Sequence, residues 1–481
     1  MKKRILAMLM LVVMLVSMLT ACRGETAPGG SGNGGETQKI PGYQVPAGGY
    51  DGSEVTIKFA HTMGAKLQEV LNYHIGEFNK LYPNIHIEHS SYGGWGDISG
   101  QINTEMAADN QPNIAYCYPD HVATYNMAKA VVTLDGLIAS TEPAVKGDGT
   151  TEALGLTQEQ IDDFIEGFYN EGKAYGDGKM YTMPLSKSTE VLYYNKTFFE
   201  QNNLTVPTTW EEMEKVCEQI LQLDPKSIPL GYDSEDNWFI TMCEQYGYDY
   251  TSATGDEHYL FNNDNCKSFV KMIRDWHQKG YVTTEAIYGS YTSGLFTELD
   301  KTVSHSYMCI GSSGGASYQI PADSAFEVGV APIPQANQSS KKVISQGPSL
   351  CILKSGKSTD QHILASWLFV KYLTTNMAFQ TEFSSTSGYM PVLKSAQNNE
   401  TYAGWLGKAD GFSFLTAYVV KVGLDQADSY FTSPAFNGSS EARKQVGALL
   451  AKCMSEKTDD VDSLINNAFE DAYDECVFLA G

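Results

Sequence analysis

A strand, a helix and a second strand follow one another within residues 54–91, and that order restricts the fold more than any other feature of the chain. "EVTIKFAHTM" alternates apolar and polar residues from Glu54 and ends as a strand at His61. Leu67, Val70, Leu71, Ile75, Phe78 and Tyr82 then share one face at helical spacing, and Pro83 ends the helix. "NIHIEHSSY" reads as the next strand. A path this short from strand through helix to strand implies a parallel βαβ unit. A helix over 98–109 and the returning strand "NIAYCYPD" extend it. Open α/β sheets place their ligands beyond the carboxyl ends of the strands. Those ends carry His61, the "YGGWGD" loop with Trp95, and Asp120.

The middle of the chain starts a second set of α/β elements. "GDGKMYTMPLS" predicts a turn into an extended segment at Tyr181–Leu185, "VLYY" a strand and "NKTFFEQNN" a short helix. Thr209 followed by Glu212 is a capping box, in which each side chain satisfies an amide the helix start leaves open. Met213, Val216, Cys217, Ile220 and Leu221 form the buried face of the helix that follows. "FEVGVAPIP" and "PSLCILKSG" read as strands, "ILASWLFVKYLTT" as an apolar helix and "TSGYMPVLKSA" as a turn marked by Gly and Pro. No internal repeat is present.

The first residues point outside the cytoplasm. Lys2, Lys3 and Arg4 precede an apolar run from Ile5 to Leu19, too short for the roughly 20 residues of a membrane span. The pattern fits a secretory signal. Its close, Leu19-Thr20-Ala21-Cys22, resembles the bacterial lipoprotein box, with Cys22 as the lipidated residue. We therefore expect a signal peptide over 1–21 and a lipid-anchored flexible linker over 22–53, rich in Gly, Ser, Thr and Pro. The net charge of −24 excludes nucleic acid as a partner and an electrostatic hold on anionic lipid. The other cysteines, Cys117, Cys217, Cys243, Cys266, Cys309, Cys351, Cys453 and Cys476, form no C-x-x-C pair, so zinc is not indicated. Their redox state stays open between buried thiols and disulfides.

The order of segments resembles an extracellular solute-binding protein of a bacterial ABC importer, of the sugar-binding type. "IKFAHTM", "HIGEFNKLYPNIHIE" and "DGKMYTMPLSKSTEVLYYNKTFFEQNNLTVPTTWEEM" carry the likeness, followed in order by "VGVAPIP", "GPSLCIL" and "TSGYMPVLKSA". The resemblance implies an α/β fold of two lobes joined by crossing hinge strands, with a ligand cleft between them. It places lobe one at 54–184 with 332–387 and lobe two at 185–331 with 388–481. It also implies a protein without cofactor or metal that delivers a carbohydrate to permease subunits. Such a protein would be monomeric and lipid-anchored on the outer face of the cell membrane.

Sugar rings are held by aromatic faces, and their hydroxyls by planar hydrogen-bonding groups. Trp95, exposed by its Gly-rich flanks, is the first stacking candidate, with core packing as its rival. Trp238 in "DSEDNWF" is a second, with the same rival. Asp120 matches an acidic contact position of the family and competes with a helix N-cap role. Ser188 and Tyr389 match contact positions in "SKST" and "SGYMP", and Ser313 and Gly347 do so through loop backbone. His61 is a cleft candidate whose rival is a satisfied histidine at a strand end.

Glycerol 3-phosphate binders form a neighbouring branch, and phosphate calls for arginine forks. Arginine occurs only at Arg4, Arg23, Arg274 and Arg443, and Asp425 in "VGLDQ" stands where that branch has one. Carbohydrate is therefore preferred over a phosphoester. "GSSGG" also satisfies G-x-S-x-G, which makes a serine hydrolase with Ser313 and His362 the alternative from another class. A sensory lipoprotein would use the same fold and ligands.

Overall fold

The structure is a computed structural model that describes residues 42–408 and 414–480. The expected signal peptide and Cys22 lie outside the described residues. The strands are β1 (Val55–His61), β2 (Ile85–Ser91), β3 (Ile114–Cys117), β4 (Pro143–Val145), β5 (Thr151–Ala153), β6 (Met183–Pro184) and β7 (Ser188–Asn195). They continue with β8 (Leu230–Tyr232), β9 (Val282–Thr284), β10 (Met308–Ser312), β11 (Val328–Pro332), β12 (Val343–Gln346), β13 (Ser349–Ile352) and β14 (Tyr430–Phe431).

Two sheets result. The first runs β2-β1-β3-β13-β6, with β1 parallel to both β2 and β3, as the βαβ reading requires. The helix between β1 and β2 spans Ala65–Leu81 and buries Val70, Leu71 and Phe78, ending just before Pro83. The second sheet runs β14-β12-β7-β10-β8-β9, with β11 continuing the β12 edge of β7. Its helix Trp210–Leu223 begins with the expected box: the Glu212 amide donates to Thr209 Oγ1 at 3.1 Å, and the Thr209 amide to Glu212 Oε2 at 3.3 Å. Each sheet has its own core. Phe59, Phe78, Trp367 and Phe369 lie in the first, and Trp210, Trp238, Phe239 and Trp276 in the second.

Two expectations need correction. The linker was expected to reach residue 53, yet Tyr43 and Tyr50 belong to the folded body. The Tyr50 amide donates to Pro143 O at 3.0 Å and its ring meets Tyr82 edge-on at 6.1 Å. The Tyr43 hydroxyl donates to Asp360 at 2.8 Å. Two large aromatic rings supply enough apolar area to order a segment whose glycines suggested a tether. The lobe boundary differs as well. β11 and β12 pair with β7 in the second sheet, and the chain returns to the first only at Gly347, between β12 and β13. Met390, Val392, Ala396 and Tyr402 also pack in the first core.

Chain crossings between the sheets converge on one point. The Lys187 amide donates to Met390 O at 3.0 Å, and the Leu185 amide to Pro348 O at 3.1 Å. Gly347 has φ +104°, and a Cβ there would lie 2.8 Å from Lys187 Cα, Ser186 O and Ser188 N. Only glycine takes that conformation without strain, and only glycine leaves room for the neighbouring strand.

Candidate functional site

The carboxyl ends of the first sheet's parallel strands face the second sheet's helices across a polar pocket. Tyr118, Asp120 and Glu171 line it on one side, and Ser345, Thr432, Ser433 and Arg443 on the other. It encloses about 30 Å³, room for on the order of one water. Asp120 reaches it because β3 runs directly into the helix Pro119–Met127, where Tyr118 is the N-cap and Pro119 sets the first turn. Asp120 thus lies inside the helix and is not its cap. Ser433 is only 8% exposed, and its hydroxyl has no hydrogen-bond partner among the described residues.

Arg443 organises the charges. It projects from the helix Ser439–Ser455, whose Ala442, Val446 and Leu449 are buried in the second core. Its Nε donates to Asp120 Oδ2 at 3.1 Å, and its Nη1 donates to Asp236 Oδ2 at 2.9 Å and to Asn237 Oδ1 at 2.6 Å. Asp236 and Asn237 open the helix Glu235–Tyr246, so one guanidinium joins the end of a first-sheet strand to two helices of the other side. Burial would lower its pKa, but Asp236 and Asp120 outweigh that and raise it.

The surroundings are acidic. Glu190, buried in β7, is pushed up to about 8 by burial, against the lowering hydrogen bond from the Tyr232 hydroxyl at 2.7 Å. Glu285 is pushed up to about 7 by burial and then by Asp233, Glu235 and Asp236. Beneath the pocket, Lys187 is ion-paired with Glu171, both wholly or almost wholly buried, and Glu171 also accepts from Thr432 Oγ1 at 3.3 Å.

Aromatic rings gather beside these groups. Trp95, half-buried at the start of the helix Trp95–Ala107, stacks on Tyr118 with centroids 4.0 Å apart and planes at 29°. Tyr389 lies over Gly314, where a Cβ would come within 2.7 Å of its ring. Its hydroxyl is pushed up to about 12 by burial and then by the neighbouring Tyr291 and Tyr318. Those two tyrosines are 63% and 72% exposed.

Among the expected site residues, the structure brings Trp95, Asp120 and Tyr389 to this region. Trp238 is not there: it is 0% exposed, stacked on Tyr232 at 4.6 Å and 10° in the second core. It packs inward on the helix, whereas the preceding Asp236 and Asn237 meet Arg443. His61 is the satisfied histidine of the rival reading. Its Nδ1 accepts from the Met63 amide at 3.1 Å, so Nε2 carries the proton and donates to His89 Nδ1 at 2.9 Å. Burial and then His89 push its pKa down to about 3. Ser188 and Gly347 are buried at the chain crossing, Ser188 paired with Gln346 in the sheet.

Ser313 is buried too, and its Oγ accepts from the Thr189 amide at 3.2 Å. His362 is held against Thr359 Oγ1 at 2.7 Å on a helix start of the first core. The serine–histidine pair of the hydrolase alternative is therefore not assembled. Residues the sequence reading missed are Tyr118, Glu171, Asp236, Asn237, Tyr291, Tyr318 and Ser433. Arg443 was noted only as one of four arginines. The scarcity of arginine in so acidic a chain was the available signal.

Comparison with known proteins places this geometry. A family model described as bacterial extracellular solute-binding protein matches residues 75–408. The multiple sugar-binding protein of Streptococcus mutans is 22% identical over 401 residues, covering 76% of this chain and 86% of that protein. The sn-glycerol-3-phosphate-binding periplasmic protein UgpB of Escherichia coli K12 is 22% identical over 380 residues, covering 75% of this chain and 80% of its own. Among solved structures, UgpB from Mycobacterium tuberculosis in complex with glycerophosphocholine superposes with a TM-score of 0.69 at 16% identity. The match covers 89% of this chain and 98% of that one. Two α/β lobes, a polar pocket between them and a family match over most of the folded body agree: the chain belongs to the bacterial extracellular solute-binding proteins.

Proposed function

We propose that this protein captures a neutral carbohydrate between its two lobes and delivers it to the membrane subunits of an ABC importer. The observation that carries the reading is the joint placement of Trp95, Tyr118 and Tyr389 beside Asp120 and Arg443. Aromatic faces suit the C–H faces of a sugar ring, and the fixed carboxylate suits its hydroxyls. A saccharide needs several hundred Å³, far more than the pocket's about 30 Å³. Entry therefore requires the lobes to part about the crossing at Lys187 and Gly347, and ligand contacts from both sides favour closure. Within this reading, β1–β3, β6 and β13 belong to lobe one and the other long-sheet strands to lobe two. A lipid at Cys22 holds the monomeric protein to the outer face of the membrane.

A phosphoester is the second reading, and the name of the Escherichia coli relative favours it. The charges oppose it. Arg443 is already shared by two carboxylates, and Arg274 donates to the backbone carbonyls of Cys453 and Glu456. An added phosphate would meet Asp120 and Asp236 with no unshared arginine among the described residues to offset them.

A thermal-shift screen against mono- and oligosaccharides and glycerol 3-phosphate, followed by calorimetry, tests the reading. A saturable rise with a saccharide and no product formed is the expected result. A rise with the phosphoester alone refutes the carbohydrate reading.

A further inference from the structure

Two thiols of the second lobe stand in sulfur contact. Cys243 Sγ and Cys266 Sγ are 3.5 Å apart, and both side chains are buried. The backbone holds each in place. Cys243 lies in the last turn of the helix Glu235–Tyr246, which Gly247 ends in the left-handed conformation, and its carbonyl accepts from the Tyr248 amide at 2.8 Å. Cys266 lies in the first turn of the helix Asp264–Gln278, where its amide donates to Asn263 Oδ1 at 3.0 Å. A disulfide needs its sulfurs at about 2.05 Å, so the gap to be closed is about the reach of a side-chain rotation. Among the other buried thiols, Cys117 neighbours Cys351 but donates to Ser349 O at 3.4 Å, and Cys309 meets Thr292 Oγ1 at 3.4 Å.

We propose that Cys243 and Cys266 form a disulfide when the exported chain folds. The family is extracellular, and that side of the membrane permits disulfides where the cytosol does not. Each thiol gives up a proton. The two electrons pass to the disulfide of an oxidant, a small-molecule or protein disulfide, which leaves as two thiols while the Sγ–Sγ bond forms. The bond forms before the core closes. Once the pair is buried in the second core with Phe239, Phe261 and Phe269, neither an oxidant nor a reductant reaches it.

The bond has a consequence for the pocket. The helix that carries Cys243 at its end carries Asp236 and Asn237 at its start, where they hold Arg443. Its neighbour, the helix of Cys266, is fastened by Arg274 to the carbonyls of Cys453 and Glu456, at the end of the helix that bears Arg443. Joining the two helices ties together the base on which the Arg443 contacts are built, whatever the ligand is.

The test uses the whole exported protein, denatured and alkylated with iodoacetamide at collection, before any reduction, then digested with trypsin. No Lys or Arg lies between Lys226 and Lys267, so both cysteines report from the single peptide 227–267. The expected peptide is lighter by two hydrogens and carries no alkyl group. Two alkyl groups on it overturn the proposal. Wild-type protein refolded with oxidised glutathione is expected to melt several degrees above the same protein refolded with reduced glutathione, because the bond restricts the unfolded chain. Equal melting of the two preparations refutes the stabilising role. No ligand enters either measurement, so the result stands apart from the carbohydrate reading.

Discussion

Replacing Arg443 by Gln should open the protein and weaken ligand capture more than it unfolds either lobe. The substitution keeps a polar side chain of similar reach but removes the charge that Asp120 and Asp236 share. The arginine side chain is 24% exposed, so the ion pairs are partly screened and the full penalty for a buried pair does not apply. Hydrogen bonds to charged groups contribute about 1.5–3 kcal/mol each. The Asp236 and Asn237 contacts lie within the second lobe and their loss lowers its stability. The Asp120 contact alone spans the lobes, and its loss shifts the balance of closed and open forms by about 10- to 150-fold, at about 1.4 kcal/mol per tenfold. Small-angle scattering of the ligand-free protein reads the opening as a larger radius of gyration. Calorimetry with the saccharide hit reads the loss of affinity, and the partial charge mimic Arg443→Lys should fall between. An unchanged radius and affinity, with only a lower melting temperature, would falsify the bridging role and leave Arg443 as a structural residue of the second lobe.

Three other perturbations follow from the same geometry. Trp238→Ala removes the ring stacked on Tyr232 in the core, and should destabilise by about 3–5 kcal/mol; a near-normal melting temperature with lost ligand binding would instead put Trp238 in the cleft. Lys187→Met leaves Glu171 buried without its partner and should destabilise by about 3–5 kcal/mol. Adding Glu171→Gln should restore much of that, and a double variant no more stable than the single one shows that the pair is not the cause. Glu190, raised from 4.5 to about 8, keeps its proton when folded over a range where the unfolded chain has lost it. The native state therefore binds more protons between those values, and stability falls as pH rises from about 4.5 to about 8, by roughly 3–5 kcal/mol at about 1.4 kcal/mol per unit. Glu190→Gln should flatten that slope in denaturant titrations at several pH values, and an unchanged slope rules Glu190 out as its source.

Local patterns in the chain were sufficient for several of the elements. The strand alternation from Glu54, the helix face ending at Pro83 and the Thr209–Glu212 box all appear as read, because strand period, helix period and capping depend on residues within a turn or two of each other. The carboxyl-end rule for parallel strands also singled out Asp120, which lines the pocket, and Trp95, which stacks on the pocket's Tyr118, along with His61, which does neither. Trp238 and Arg443 show where that kind of reading stops. Trp238 and Asn237 are adjacent in the chain, yet one fills the core and the other meets Arg443, a residue 206 positions away. Which face of a helix turns inward is set by what packs against it, and here the partner helix arrives only near the end of the chain. Similarly, Tyr43 and Tyr50 lie in a stretch whose glycines read as a tether, and distant residues, Asp360, Pro143 and Tyr82 among them, order it. The sequence by itself determined the first βαβ unit, the start of the second set of α/β elements and the family. The tertiary structure alone decided which side chains share the pocket, because those contacts join segments whose separation along the chain leaves no local signal.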